Sequence, residues 1–257
     1  MNSLQASQIN YLFNSRPNEV INLCQDPSLA YICQDPYFWA RKAEIDFGLP
    51  PRDLLLIPRP DNRSRYIWIL RVNPEEGLED ASSIGSLPLA RYFISRGATN
   101  YNTAMNTAAL AGHTDIVKLM LSRGARSFDH AMIGAARGGY SDIVYLMIEK
   151  GATDFNDAML AAGEEDHINI VRLMISKGAR DFNLVMIAAA GAGHLDIVNL
   201  MLENGANSYN LAMIAAAENG HSKIVKLMLD LGADEIDDAI RAALDNGHYD
   251  LAESLQY

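Results

Sequence analysis

Five histidines, His113, His167, His194, His221 and His248, lie at multiples of 27 residues, and imidazoles in series are a residue type suited to binding zinc. Geometry opposes a shared metal. Stacked helices lie about 8–10 Å apart, whereas the ligands of one zinc sit about 2 Å from it, so these side chains are expected to bond local backbone groups at a turn. The densest carboxylate cluster, Glu164-Glu165-Asp166 followed by His167, lacks the second cluster needed for an acid–base pair. It reads as a solvated turn or a local binding feature. Cys24 and Cys33 are too few for a disulfide framework or a zinc site. They read as buried free thiols, which favours a reducing compartment. With no nucleophile motif, phosphate-cradling loop or redox pair in the sequence, the chain is expected not to be an enzyme and to need no cofactor or metal.

The elements that must position these residues form a unit of 27, clearest from Ala179 to Gly205. Gly-Ala pairs begin at Gly97, Gly124, Gly151, Gly178, Gly205 and Gly232, and so strict a period signals a solenoid. Each unit predicts two helices of about two turns. Asn102, Asp129, Asn156, Asn183, Asn210 and Asp237 hold the fifth position and are expected to cap the first helix. A Met and then one or two Ala follow on one face, a Gly breaks the run, and a stretch of type Asp-Ile-Val-x-Leu-Met-Leu makes the second helix. Helices this short are marginal alone, so stacking must stabilise them. All methionines after Met1 occupy two positions of the unit and are assigned to the stacked core, where thioethers fill irregular gaps.

Residues 1–49 do not follow the period and predict a small helical module. Leu4, Ile9, Leu12 and Phe13 suggest a first helix, and Pro17 can open a second. Residues 50–70 carry Pro50, Pro51, Pro58 and Pro60, which exclude a regular helix through most of the span. They read as a linker, with Tyr66-Ile67-Trp68-Ile69-Leu70 packed on the first repeat. Residues 71–257 form the array: an opening cap (71–97), five units (98–232) and an end cap (233–257). The fold class is therefore all-α, a helical solenoid of stacked antiparallel helix pairs with a small N-terminal helical module.

Residues 1–97 hold 11 acids and 10 bases, and residues 98–257 hold 21 acids and 11 bases. An acidic array repels phosphate backbones, so nucleic acid is not an expected ligand. Arg52, Arg59, Arg63 and Arg65 beside aromatics could bind it, but Asp53 and Asp61 dilute their charge. No apolar run approaches the roughly 18–20 residues of a membrane span, and no signal peptide is read. A monomer in the cytoplasm is expected. Residues 230–257 set eight acids against Arg241, either a solvated end or a docking site for a basic partner.

The run Ala-Ala-x-x-Gly-His-x-x-Ile-Val-x-Leu-x-Leu-x-x-Gly-Ala, as in Ala216 to Ala233, resembles the ankyrin repeat. The family's Thr-Pro-Leu-His signature is missing. Its unit is also longer, about 33 residues, and the shortfall lies before the first helix, so short turns are expected in place of projecting fingers. Pro17 to Cys24, Ile32 to Trp39 and Asp46-Phe47-Gly48 resemble an F-box, the module that hooks proteins onto the Skp adaptor of SCF ubiquitin ligases, although its opening Leu-Pro-x-Glu is absent. The order of the two modules resembles ankyrin proteins of giant DNA viruses of amoebae, which would place the chain in a host cytoplasm.

These resemblances imply a substrate receptor joining a target protein to a host Skp adaptor. The alternative is a binding or masking protein with no ligase role. Adaptor contact would fall on Val20, Ile21, Leu23, Tyr37, Phe38 and Trp39. The target would meet the positions that vary between units along the first helices: Thr103, Asn106, His130, Ile133, Asp157, Leu160, Glu164, Leu184, Ile187, Leu211 and Ile214. Acids mixed with Ile and Leu suit a partner with basic and apolar anchors; the plainer reading is surface drift.

Overall fold

The computed structural model describes residues 3–256, and every regular element among them is a helix. Two compact units divide the chain, Met1–Arg126 and Ser127–Tyr257.

The second unit holds five helix pairs. Their first helices are α11 (Phe128–Gly138), α13 (Phe155–Glu164), α15 (Phe182–Ala192), α17 (Tyr209–Glu218) and α19 (Ile236–Asp245). Their second helices are α12 (Ser141–Lys150), α14 (Ile168–Lys177), α16 (Leu195–Glu203), α18 (Ser222–Asp230) and α20 (Tyr249–Ser254). Most run nearly three turns, a little longer than the sequence pattern suggests. Each first helix packs on the next first helix and on its own partner. Met132, Met159, Met186 and Met213 on one helix and Met147, Met174, Met201 and Met228 on the other are fully buried, each contributing about 1.5–3 kcal/mol of apolar burial. The turns between pairs are short, as in Ala152-Thr153-Asp154, with no strand-built finger.

The fifth-position side chains do not cap their own helices. They sit at the second helical residue, and the cap position falls to Ser127, Asp154, Asp181, Ser208 and Glu235. Instead those of the first four pairs reach the turn of the following pair. Asp129 Oδ1 accepts from the Thr153 N–H at 2.6 Å, Asn156 from Arg180 at 2.7 Å, Asn183 from Asn207 at 2.7 Å and Asn210 from Asp234 at 2.8 Å. Turn amides have no helical partner of their own, so an acceptor one repeat away satisfies them.

The first unit contains α1 (Ser3–Asn14), α2 (Pro17–Leu23), α3 (Ala30–Cys33), α4 (Pro36–Phe47), α5 (Pro51–Leu54), α6 (Asn62–Arg71), α7 (Pro74–Ile84), α8 (Leu87–Ser95), α9 (Tyr101–Leu110) and α10 (Thr114–Ser122). The last four repeat the paired pattern. Glu75 and Asn102 play the inter-repeat role here, accepting from Thr99 at 3.1 Å and from Arg126 at 2.7 Å.

Two sequence expectations are corrected before α7. The expected linker is helical over Asn62–Arg71: the last proline precedes Asp61, whose Oδ1 accepts from the Ser64 N–H at 2.7 Å and starts the helix. Its Tyr66 is buried against Trp39 and Phe47, with ring centroids at 5.1 and 4.9 Å. Trp68 meets Phe93 of α8 at 6.0 Å, the expected contact with the opening cap. Second, Cys24 and Cys33 are not free but form a disulfide, because the Asp26-Pro27-Ser28 turn folds α3 back beside the end of α2. Lys42, a residue type with no obvious place in a core, is fully buried. Its ammonium donates to the carbonyls of Phe13 and Ser15 at 3.0 and 2.6 Å and to Asp46 at 2.7 Å, so it closes the end of α1 onto α4. Tyr66 O–H donates to the other Asp46 oxygen, and burial together with this carboxylate raises the phenol's pKa. The side chain of Leu4 lies outside the described residues; Leu12 is buried and Phe13 stacks on Phe38 at 5.2 Å.

Candidate functional site

On each first helix of the second unit, the third residue and the residue one turn later share a face. On α11, α13, α15 and α17 the later positions, Ile133, Leu160, Ile187 and Ile214, are aliphatic and half-buried, whereas α19 has the exposed Arg241 there. Because α11, α13, α15 and α17 pack side by side, they line up as a continuous apolar rail. Beside it runs a more exposed row of His130, Asp157, Leu184 and Leu211, with Leu184 and Leu211 51% and 53% exposed. The structure therefore brings together these predicted residues of the second unit. Thr103 is exposed and Asn106 half-buried at the corresponding places of α9 in the first unit.

Negative charge concentrates next to this rail. The neighbouring Asp154 charge raises the carboxyl pKa of Asp157, with burial, a hydrogen bond to Asp154 and Asp181 adding to it. At its other margin Glu164 is not a free solvated carboxylate: Arg137 of the preceding pair meets it at 2.9 Å and Glu165 at 3.7 Å. All three side chains are at least a third exposed, so the pair organises the surface more than it stabilises it. Asp166 takes the place glycine holds in other units and keeps its left-handed backbone, φ 62°.

The recurring histidines serve the stack, and their bonds are not local. His167 Nε2 lies 3.0 Å from the Arg137 carbonyl, His194 3.0 Å from Glu164 and His221 3.1 Å from Gly191, each in the preceding pair. In the first unit His113 reaches Ser83 at 3.0 Å. A carbonyl only accepts, which assigns the proton to Nε2. The rings also lie over the glycines that end the preceding first helix: a Cβ on Gly139 or Gly193 would come within 2.6 Å of one. Among the described residues no three His, Cys, Asp or Glu are grouped to hold a metal, and no helix is long and apolar enough to cross a membrane.

The residues predicted for adaptor contact are split. Val20, Phe38 and Trp39 are buried in the module, with Phe38 only 4% exposed and Trp39 Nε1 donating to the Cys33 carbonyl at 2.8 Å. Ile21 and Leu23 are half-buried, and Tyr37 is 82% exposed. Sequence reasoning missed Tyr11, Tyr31, Ile45, Leu55 and Leu56, all exposed apolar residues of the same unit. Their types match those of core residues, and no period separates them.

The family profile for ankyrin repeats, in three copies, matches residues 78–158, 132–210, 158–239 and 185–256. A search of the curated proteins finds no match. Among solved structures the chain is similar to the crystal structure of the human ASB11 ankyrin repeat domain, with a TM-score of 0.50 and 21% identity, covering 61% of this chain and 84% of that one. At that identity the shared property is the fold.

Proposed function

The chain belongs to the ankyrin-repeat family, which makes it a protein-interaction module, and we propose that it is a non-catalytic receptor holding a target segment along the first helices of its second unit. The observation that carries this reading is the unbroken rail Ile133, Leu160, Ile187 and Ile214, with Leu184 and Leu211 exposed beside it and Asp154, Asp157 and Asp181 at its side. Apolar anchors would fill the rail, and a basic residue would answer the carboxylates.

The finer reading gives the N-terminal module a second docking role, on a Skp-type adaptor in the cytoplasm, through Tyr37, Leu23 and Ile21. A target held near a recruited ligase gains effective concentration with no catalytic residue in this chain. Burial of Val20, Phe38 and Trp39 favours the alternative, a binding or masking protein whose N-terminal module caps the array.

Direct titration of the purified chain against purified Skp adaptor separates the two. Saturable binding lost in Tyr37→Asp, Leu23→Asp, with the melting curve retained, establishes the receptor. Absence of binding at tens of micromolar leaves the masking protein.

A further inference from the structure

The rail repeats at the spacing of its helices, and that spacing selects a ligand backbone. Ile133, Leu160, Ile187 and Ile214 hold the same position on α11, α13, α15 and α17, which pack one on the next. Packed helices lie about 8–10 Å apart, so a segment lying across them meets an aliphatic side chain at about that interval. In an extended strand three residues span about 10 Å, but side chains alternate and every third one turns away. In an α-helix the same face returns near one repeat only at the seventh residue, about 10.5 Å on. That exceeds the interval at every step, and the excess accumulates along the rail. A polyproline II segment turns once in three residues and rises about 9.3 Å in doing so. Of the three backbones, it alone returns one side chain to the rail at every repeat.

The flanking positions suit so thin a segment and give it a direction. Directly after each rail residue stands Gly134, Ala161, Ala188 or Ala215, none with a side chain beyond a methyl, so a ligand backbone can approach closely. One turn before it stands His130, Asp157, Leu184 or Leu211, all exposed. With three residues per turn, two of the segment's columns can face the surface, and the second column meets this row. Asp154, Asp157 and Asp181 are exposed and in no ion pair among the described residues. Asp154 is the first cause of the raised Asp157 carboxyl pKa, and Asp181 adds to it. A cation arriving there meets uncompensated charge, whereas Leu184 and Leu211 take apolar side chains. On α19 the rail position holds Arg241, so the apolar run stops at Ile214.

On the reading that the rail is the target site, on which this rests, we infer that the target binds it in the polyproline II conformation, one ligand turn per repeat. The recognised segment carries an apolar residue at every third position, and these residues face Ile133, Leu160, Ile187 and Ile214. A Lys or Arg stands next to the one that meets Leu160, where it answers Asp157. Further apolar residues stand next to those that meet Ile187 and Ile214, and they cover Leu184 and Leu211. The segment's backbone makes no internal hydrogen bonds and stays solvated on its outer side, which suits a face whose turns raise no strand-built finger over it.

Synthetic peptides titrated into the isotope-labelled full chain, followed by amide NMR, test this. The first has leucine at every third position of a proline-rich chain, with one lysine and two further leucines in the second column. The second is its scramble, and the third is an alanine-based helix carrying the same leucines and lysine at heptad spacing. Saturable shifts at Leu160, Leu184, Ile187 and Leu211 are expected with the first, which should bind at least about tenfold more tightly than the others. Leu184→Lys, Leu211→Lys should abolish them; both positions are exposed, so the variant is expected to melt normally, and undiminished binding by it overturns the proposal. Replacing the peptide's lysine by glutamine should weaken binding about threefold or more in the parent chain and much less in Asp157→Asn. Absence of that coupling overturns the placement of the basic residue. Equal binding of the scramble overturns the register. Equal or tighter binding of the helical peptide, lost in the same leucine variant, overturns the polyproline II conformation and leaves the rail as the target site. Absence of rail shifts with every peptide overturns both.

Discussion

The helical module before α7 and the repeats of the second unit solve one problem, burying short helices, with different chemistry. The module uses large residues once each: Phe13, Phe38, Trp39, Tyr66 and Phe47 follow one another at ring separations near 5 Å, and Lys42 with Asp46 ties three helices through one buried centre. The repeats use small residues many times, Ala and Met under identical Asn and His contacts. Stability in the module therefore rests on a few irreplaceable contacts. In the repeats it is a sum of modest and nearly equal ones.

Removing the module's centre should have the largest effect. Lys42→Met leaves Asp46 without its cation and the Phe13 and Ser15 carbonyls without a donor, so about 3–5 kcal/mol should be lost. Both tryptophans, Trp39 and Trp68, lie in the first unit, and fluorescence-monitored urea unfolding reads this loss there. A loss under about 1 kcal/mol would remove the contrast between the regions.

Within the repeats, Gly193→Ala must accept φ 84° and a ring 2.6 Å away, for an expected loss of about 2–3 kcal/mol. Gly178→Ala has φ 109° but open space, and about 1–2 kcal/mol is expected. The difference, from circular-dichroism melts, isolates the histidine seat. Asn183→Ala strips the acceptor from Asn207 and Ser208 and should cost about 1 kcal/mol. Asp166→Gly relieves a left-handed aspartate and should stabilise the second unit by about 0.5–1 kcal/mol.

The smallest effects are pH-dependent and opposite in sign. Glu75 has its pKa lowered, first by the Asn100 N–H, so its contribution is present above the unfolded pKa and is lost as pH falls through the folded one. Asp157 has its pKa raised, first by Asp154; its charged form is unfavourable at neutral pH, and that penalty is relieved as pH falls through the folded pKa. Asp157→Asn should raise the melting temperature at neutral pH, with the gain vanishing in acid. Glu75→Gln should lower it at neutral pH, with the loss shrinking in acid.

The repeats were legible because their information is local and periodic: a residue type returning every 27 positions announces both its face and its neighbours. The rail was legible for the same reason, since Ile133, Leu160, Ile187 and Ile214 hold one register. Asn183 and His221 were recognised as structural but given the wrong partners. Their types suit a cap or a local turn equally well, and only stacking brings a second set of unsatisfied backbone groups within reach. In the module, Val20, Phe38 and Trp39 were assigned to adaptor contact through the F-box resemblance, and the structure buries them; a motif does not show which of its apolar residues face the core.

Sequence by itself determined the paired helices, their period, the Met and Ala core and the acidic charge of the array, because spacing and residue type suffice for each. Tertiary structure decided the Cys24–Cys33 bond, the helix at Asn62–Arg71, the burial of Lys42 and the inter-repeat reach of the Asn and His side chains. Most of these depend on groups far apart in the chain satisfying one another once packed, and the disulfide and helix start depend on how a local turn closes; residue types alone do not determine those pairings.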